Sequence, residues 1–151
     1  MDREGKARDP DRSFDGVHSE LTERIIGCAF KVHSSLGPGF VEAIYENALA
    51  IELAQASIEF GRQVEIAVAY AGQQIGLHRL DLLVDGRVIV ELKAKEAFSE
   101  SDQASVLSYL KATNLRIALL LNFGTPRLTI KRLGNAELVL RRDKALSVES
   151  V

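Results

Sequence analysis

Little in this chain can be cross-linked, used as a soft metal ligand or inserted into a bilayer. A single cysteine, Cys28, excludes an intrachain disulfide and any site built from several cysteines. Tryptophan is absent, and three tyrosines with six phenylalanines are too few for an extensive base-stacking platform. No window approaches the roughly 18 consecutive apolar residues of a membrane span. The first residues, Met1-Asp2-Arg3-Glu4-Gly5-Lys6, are charged from the second position and hold no apolar core, so no secretory leader is expected. An excess of one charge is lacking too. Nineteen Lys and Arg against 21 Asp and Glu leave a net charge of −2, without the basic footprint of an avid nucleic-acid binder. The sign is uneven, however: residues 1–75 sum to −5 and residues 76–151 to +3, which permits a local basic face.

What remains is an ordinary globular composition. With 151 residues, 46% of them hydrophobic, the chain is one domain's worth and can bury a core without metal or disulfide. A cytoplasmic, reduced, single-domain protein is expected. Residues 1–17 alternate charge with Gly and Pro and read as a disordered tail, residues 18–140 as the domain, and residues 141–151 as a polar C-terminal tail.

Within the domain, Ser19 reads as an N-cap, and Leu21, Ile25, Cys28, Ala29, Val32 and Leu36 recur at helical spacing. Gly37-Pro38-Gly39 ends that helix. A second, from about Val41 to Gln55, is expected to bury Val41, Ile44, Ala48 and Ile51. The period then changes to two over Val64–Tyr70, closed by Ala71-Gly72, and two more strands, Leu77–Val84 and Arg87–Lys95, flank Asp85-Gly86. Ser101 is expected to cap a third helix that ends near Asn114. Leu115–Phe123, nearly all apolar, reads as a strand buried on both faces. Arg127–Leu133 adds another strand and Glu137–Leu140 a short one. The order α-α-β-β-β-α-β-β gives an α/β fold, a mixed sheet flanked by helices.

The hairpin around Asp85-Gly86 carries the chemistry. A two-residue turn would mix apolar and charged side chains on both faces. A three-residue loop, Val84-Asp85-Gly86, pairs Leu83 with Arg87 and Asp81 with Ile89 and sorts the faces. Leu80, Leu82, Val84, Val88, Val90 and Leu92 then share the apolar face. Asp81, Glu91, Lys93 and Lys95 share the other, with Asp81 and Glu91 diagonal neighbours roughly 7–8 Å apart. Two carboxylates so placed can converge on Mg²⁺ or Mn²⁺, which prefer oxygen ligands. Lys93 can orient a water or offset charge on a phosphate. Charges on one sheet face are also commonly just solvated, and Glu91 with Lys93 can be plain ion partners.

Asp81 followed by Glu91-Leu92-Lys93 resembles the PD-(D/E)XK nuclease signature, with Leu80 in place of its proline. Gly39-Phe40-Val41-Glu42-Ala43-Ile44-Tyr45 further resembles the GxxExxY protein family, a branch of that superfamily, and the likeness covers about Leu21 to Leu133. The resemblance implies a restriction-endonuclease-like core and Mg²⁺- or Mn²⁺-dependent hydrolysis of phosphodiesters in DNA or RNA. Asp81 and Glu91, with the Leu92 carbonyl and Glu42, would bind metal, and Lys93 would position the water. Tyr45, Tyr109, Gln103 and Lys95 would contact substrate. Glu46, on the Glu42 face of the helix, reads as surface, His33 as a helix-end residue, and His78 and His18 as surface. Relatives often carry glutamine where Ser105 stands and histidine where Asp102 stands. The alternative is a catalytically weak or inactive module for nucleic-acid binding or oligomeric assembly. A chain this small is expected to act as a homo-oligomer or with a partner protein.

Overall fold

The computed structural model describes residues 16–135. The elements run in the expected order: α1 (Ser19–Leu36), α2 (Glu42–Gln55), β1 (Phe60–Tyr70), β2 (Gln73–Val84), β3 (Val88–Lys93), α3 (Glu100–Thr113), β4 (Ile117–Asn122) and β5 (Thr129–Gly134). The strands form one five-stranded sheet in the order β1-β2-β3-β4-β5. All neighbours are antiparallel except β3 and β4, which are parallel and therefore need the crossover that α3 supplies. Residues 1–15 of the tail expected over residues 1–17, and the segments expected at 137–140 and 141–151, lie outside the described residues.

The sheet is buried on both faces at its centre. On one side α1 and α2 cover Leu82, Val84, Val88, Val90 and Leu92, together with Ile117, Leu119 and Leu121 of β4. On the other, Val106 and Leu110 of α3 cover Ile89, Ala118 and Leu120. All six residues of β4 are buried, the reason its sequence shows no alternation.

Several local expectations are corrected. Ser19 is the first helical residue of α1, and the cap position is His18 in a left-handed conformation with φ 51°. The third helix is capped by Ser99, not Ser101. Ser99 Oγ accepts the Asp102 N–H, and Asp102 accepts the Ser99 N–H, a reciprocal capping box. On α2 the buried stripe is Tyr45, Glu46, Leu49, Ala50 and Leu53, whereas Val41, Ile44 and Ile51 are exposed. That helix is apolar on most of its circumference, so spacing alone selects no single face. Leu80 leaves the Leu82 and Val84 face and packs with Ile89, Val106 and Leu110 on the α3 side.

Candidate active site

The turn of the β2–β3 hairpin is Asp85-Gly86-Arg87, with φ of 52° at Asp85 and 64° at Gly86. It pairs Val84 with Val88, Leu83 with Ile89 and Leu82 with Val90. The register therefore differs by two residues from the expected one. A shift of two preserves the faces. It also brings Asp81 level with Glu91 instead of diagonal to it.

At that level the backbone ladder stops. Asp81 N–H donates to Glu91 Oε1 at 3.0 Å, and Leu92 N–H donates to Asp81 Oδ2 at 3.0 Å. Each carboxylate thus replaces a carbonyl that the neighbouring strand would have offered. On the other side of β2, pairing with β1 runs from Phe60–Val84 to Arg62–Leu82 and resumes at Val64–Leu80, with Gln63 at φ 49° in the interval. Asp81 sits in a break on both edges of its strand, where Leu80 and Leu82 part to opposite faces.

Burial and charge act together here. Glu91 is 6% exposed. Its carboxyl is raised from the ordinary value to about 8, first by burial and then by the Asp81 carboxylate beside it, with Lys93 opposing. Lys93 lies two residues further along the strand on the same face, and its Nζ is 3.9 Å from Asp102 Oδ1. Lys95 Nζ is 2.7 Å from Asp102 Oδ2. The main chain of Lys95 is held by Asn122 at the end of β4, which accepts its N–H at 3.1 Å and donates to its carbonyl at 2.9 Å. Gly124 packs so closely on this segment that a Cβ there would lie 2.3 Å from Lys95 N.

Glu42 is exposed at the start of α2 and shares a cleft of about 640 Å³ with Asp81, Gln63, Leu92 and Phe40. Glu46 lines the same cleft but is not a surface residue. It is buried, takes Arg62 Nη2 at 2.7 Å and Nε at 3.1 Å, and accepts from Gln63 at 2.7 Å. Tyr45 is likewise placed differently from expectation. Its ring is fully buried and stacked on Phe123, and its hydroxyl donates to Gly37 O at 2.6 Å and accepts the Phe40 N–H at 3.1 Å. It braces the Gly-Pro-Gly turn and presents no free group to a phosphate.

Tyr109 reaches the site from α3. Its phenol is raised by burial and by the Glu91 and Asp81 carboxylates, with a hydrogen bond to Ser105 opposing. Its ring stacks on His78 with centroids 4.2 Å apart, so His78 is not a free surface residue. Gln103 is half-buried on α3. His33 is buried near the end of α1, with Nε2 2.9 Å from Thr125 O and its ring beside Phe123.

The structure thus brings together Asp81, Glu91, Lys93, Lys95 and Tyr109, with Glu42 across the cleft. Two participants were missed in the sequence, Asp102 and Asn122. A Ser-x-x-Asp cap signature and a lone polar residue closing an apolar strand were the available signals. No group of three or more His, Cys, Asp or Glu close enough to hold a metal ion occurs among the described residues. No helix among them is long and apolar enough to cross a membrane.

A sequence profile of the PD-(D/E)XK nuclease superfamily matches residues 19–133, which contain every element above except the last residue of β5. Among solved structures, one titled "Crystal structure of SSO0001" is similar to 87% of this chain and 67% of its own, at 17% identity and a TM-score of 0.45. No curated protein matches the chain.

Proposed function

The chain belongs to the PD-(D/E)XK nuclease superfamily, and on that premise we propose that it is a divalent-metal-dependent nuclease of the GxxExxY kind, hydrolysing phosphodiester bonds in DNA or RNA. One observation carries this reading: the two carboxylates that interrupt the β2–β3 ladder, with a lysine two residues beyond the second. Fold alone does not settle activity, so the argument rests on that constellation.

The donor set suits a hard cation. Burial raises the Glu91 carboxyl first and repulsion from the Asp81 carboxylate raises it further, and Mg²⁺ or Mn²⁺ would offset both by favouring the ionised form. Because the Leu92 N–H points at Asp81, the carbonyl of the same residue points to that side of the strand as well. Asp81, Glu91, the Leu92 carbonyl and, from across the cleft, Glu42 are the proposed ligands. A cation so bound supplies a Lewis acid for the phosphate and a more acidic water. Lys93 orients the attacking water and offsets charge on the phosphate. Lys95 and Tyr109 contact the substrate backbone, and Gln103 stands on the α3 side of the same path. The domain is taken as residues 18–140, working as a homo-oligomer or with a partner protein that enlarges its footprint.

The test is cleavage of labelled DNA and RNA oligonucleotides across a Mg²⁺ series. Glu91→Ala and Lys93→Ala should each abolish Mg²⁺-dependent cleavage while keeping the circular dichroism spectrum of the parent. Unchanged cleavage in both variants overturns the assignment. A second reading, a weakly active or inactive binding module, is favoured by the engagement of both lysines on Asp102. It requires salt-dependent nucleic-acid binding that ignores Mg²⁺ and survives Asp81→Asn.

A further inference from the structure

We propose, resting on the nuclease reading above, that Asp102 is a positioning residue: it keeps the Lys93 ammonium off the Asp81–Glu91 pair and poised at its rim. Lys93 follows Glu91 by two residues on one strand face, so it has two carboxylate destinations within reach. One is the pair itself, since Glu91 stands two residues back on the same strand face. The other is Asp102. Of these, only Asp102 lies within ion-pair distance of Lys93, at 3.9 Å.

Asp102 owes its place to neither lysine. It is the third residue of α3, its backbone N–H is held by Ser99 Oγ at 3.1 Å and its Oδ2 by the Ser99 N–H at 2.9 Å. The helix N-terminus favours an anion there. Its side chain is 9% exposed. Burial works to raise its carboxyl, and the Lys95 and Ser99 hydrogen bonds overcome that and hold it below the ordinary value. Lys95 satisfies Oδ2 at 2.7 Å, with a main chain already fixed by Asn122. Oδ1 is left for Lys93 at a longer distance. Lys93 is therefore restrained without being bound tightly, and it can turn to a substrate phosphate. Removing the Asp102 charge leaves Glu91 and Asp81 as the remaining carboxylates for Lys93. Occupying them would take the lysine off the water and compete with a cation.

The test uses the full chain and three variants. Asp102→Asn keeps a capping oxygen and the side-chain shape but not the charge. It should lower kcat about 100-fold, as expected for a displaced catalytic group, with KM within a few-fold. Calorimetric Mn²⁺ binding without substrate should weaken about tenfold, the scale of a disturbed outer shell. Asp102→Glu should restore part of both. Ser99→Ala removes a cap hydrogen bond but no charge, so it should lower Tm while leaving kcat and Mn²⁺ affinity in the wild-type range. An Asp102→Asn protein that matches wild type, or losses in Asp102→Asn and Ser99→Ala that simply track Tm, overturns the positioning role alone. A wild type that neither binds Mn²⁺ nor cleaves overturns the nuclease reading and this role with it.

Discussion

The two ends of the β2–β3 hairpin, the turn and the level of Asp81 and Glu91, have opposite characters. At the turn end Leu82, Val84, Val88 and Val90 are fully buried, and backbone groups satisfy one another across the ladder. At the far end the ladder gives way to Asp81 and Glu91, whose carboxylates do what carbonyls do elsewhere. The first end stabilises the fold by removing apolar surface from water. The second satisfies its N–H groups equally well but sets a buried carboxyl beside another carboxylate, so that ionising Glu91 costs stability. The proposed reactive groups lie where the strand stops being held by its own backbone, next to a fully buried seam.

The largest effect should come from breaking the apolar end. Leu82→Ala removes a fully buried side chain from the cluster under α1 and α2. A loss of about 2–5 kcal/mol in urea unfolding at neutral pH is expected. A loss below about 1 kcal/mol would mean that the turn end is not the rigid partner in this comparison.

The polar end should respond in the opposite sense. Glu91 binds its proton more tightly folded than unfolded, with a native value of about 8 against an ordinary 4.5. The sign follows: between those values the native state holds more protons than the unfolded chain, so stability falls as pH rises. The contribution is complete below about 4.5 and gone above about 8, with a slope of up to about 1.4 kcal/mol per pH unit in between. Glu91→Gln, a neutral stand-in for the protonated acid, should flatten that slope in metal-free buffer and make the variant the more stable protein at pH 8. Parallel pH–stability curves for variant and parent would show that the carboxylate pair carries no such penalty.

This contrast also explains how far the sequence could be read. Element order and the sorting of hairpin faces were legible because period-two patterning reports parity. Register was not, because a slip of two residues leaves every side chain on its face. Diagonal and directly opposed carboxylates look alike in such a pattern, and so does an unbroken strand beside one that parts at Leu80. On α2 the exposed Ile44 and Ile51 and the buried Leu49 and Leu53 are equally apolar, so the packed stripe was decided by the sheet and not by the helix. Asp102 and Asn122 showed in the sequence only as a cap signature and a polar strand end, and what they touch did not show. Both act on Lys95 across the β3–α3–β4 crossover, a proximity that no local spacing encodes. The Gly-x-x-Glu-x-x-Tyr run was visible as a pattern, but the different fates of its Glu42 and Tyr45 depend on which faces the cleft.

That last distinction supports the smallest of these predictions. Gly39 and Phe40 form one wall of the cleft that holds Asp81, and Tyr45 fixes that wall by taking the Phe40 N–H and giving its proton to Gly37 O. Tyr45→Phe keeps the stack on Phe123, with centroids 4.7 Å apart, and removes only the hydroxyl. The cost in urea unfolding should be about 1 kcal/mol, the usual scale for a lost side-chain hydrogen bond. Mg²⁺-dependent cleavage should then fall only a few-fold, since the hydroxyl shapes the cleft without touching a phosphate. A fall of about 100-fold or more at unchanged stability would instead put the hydroxyl on the substrate, and would move the reactive region from the hairpin's open end toward the start of α2.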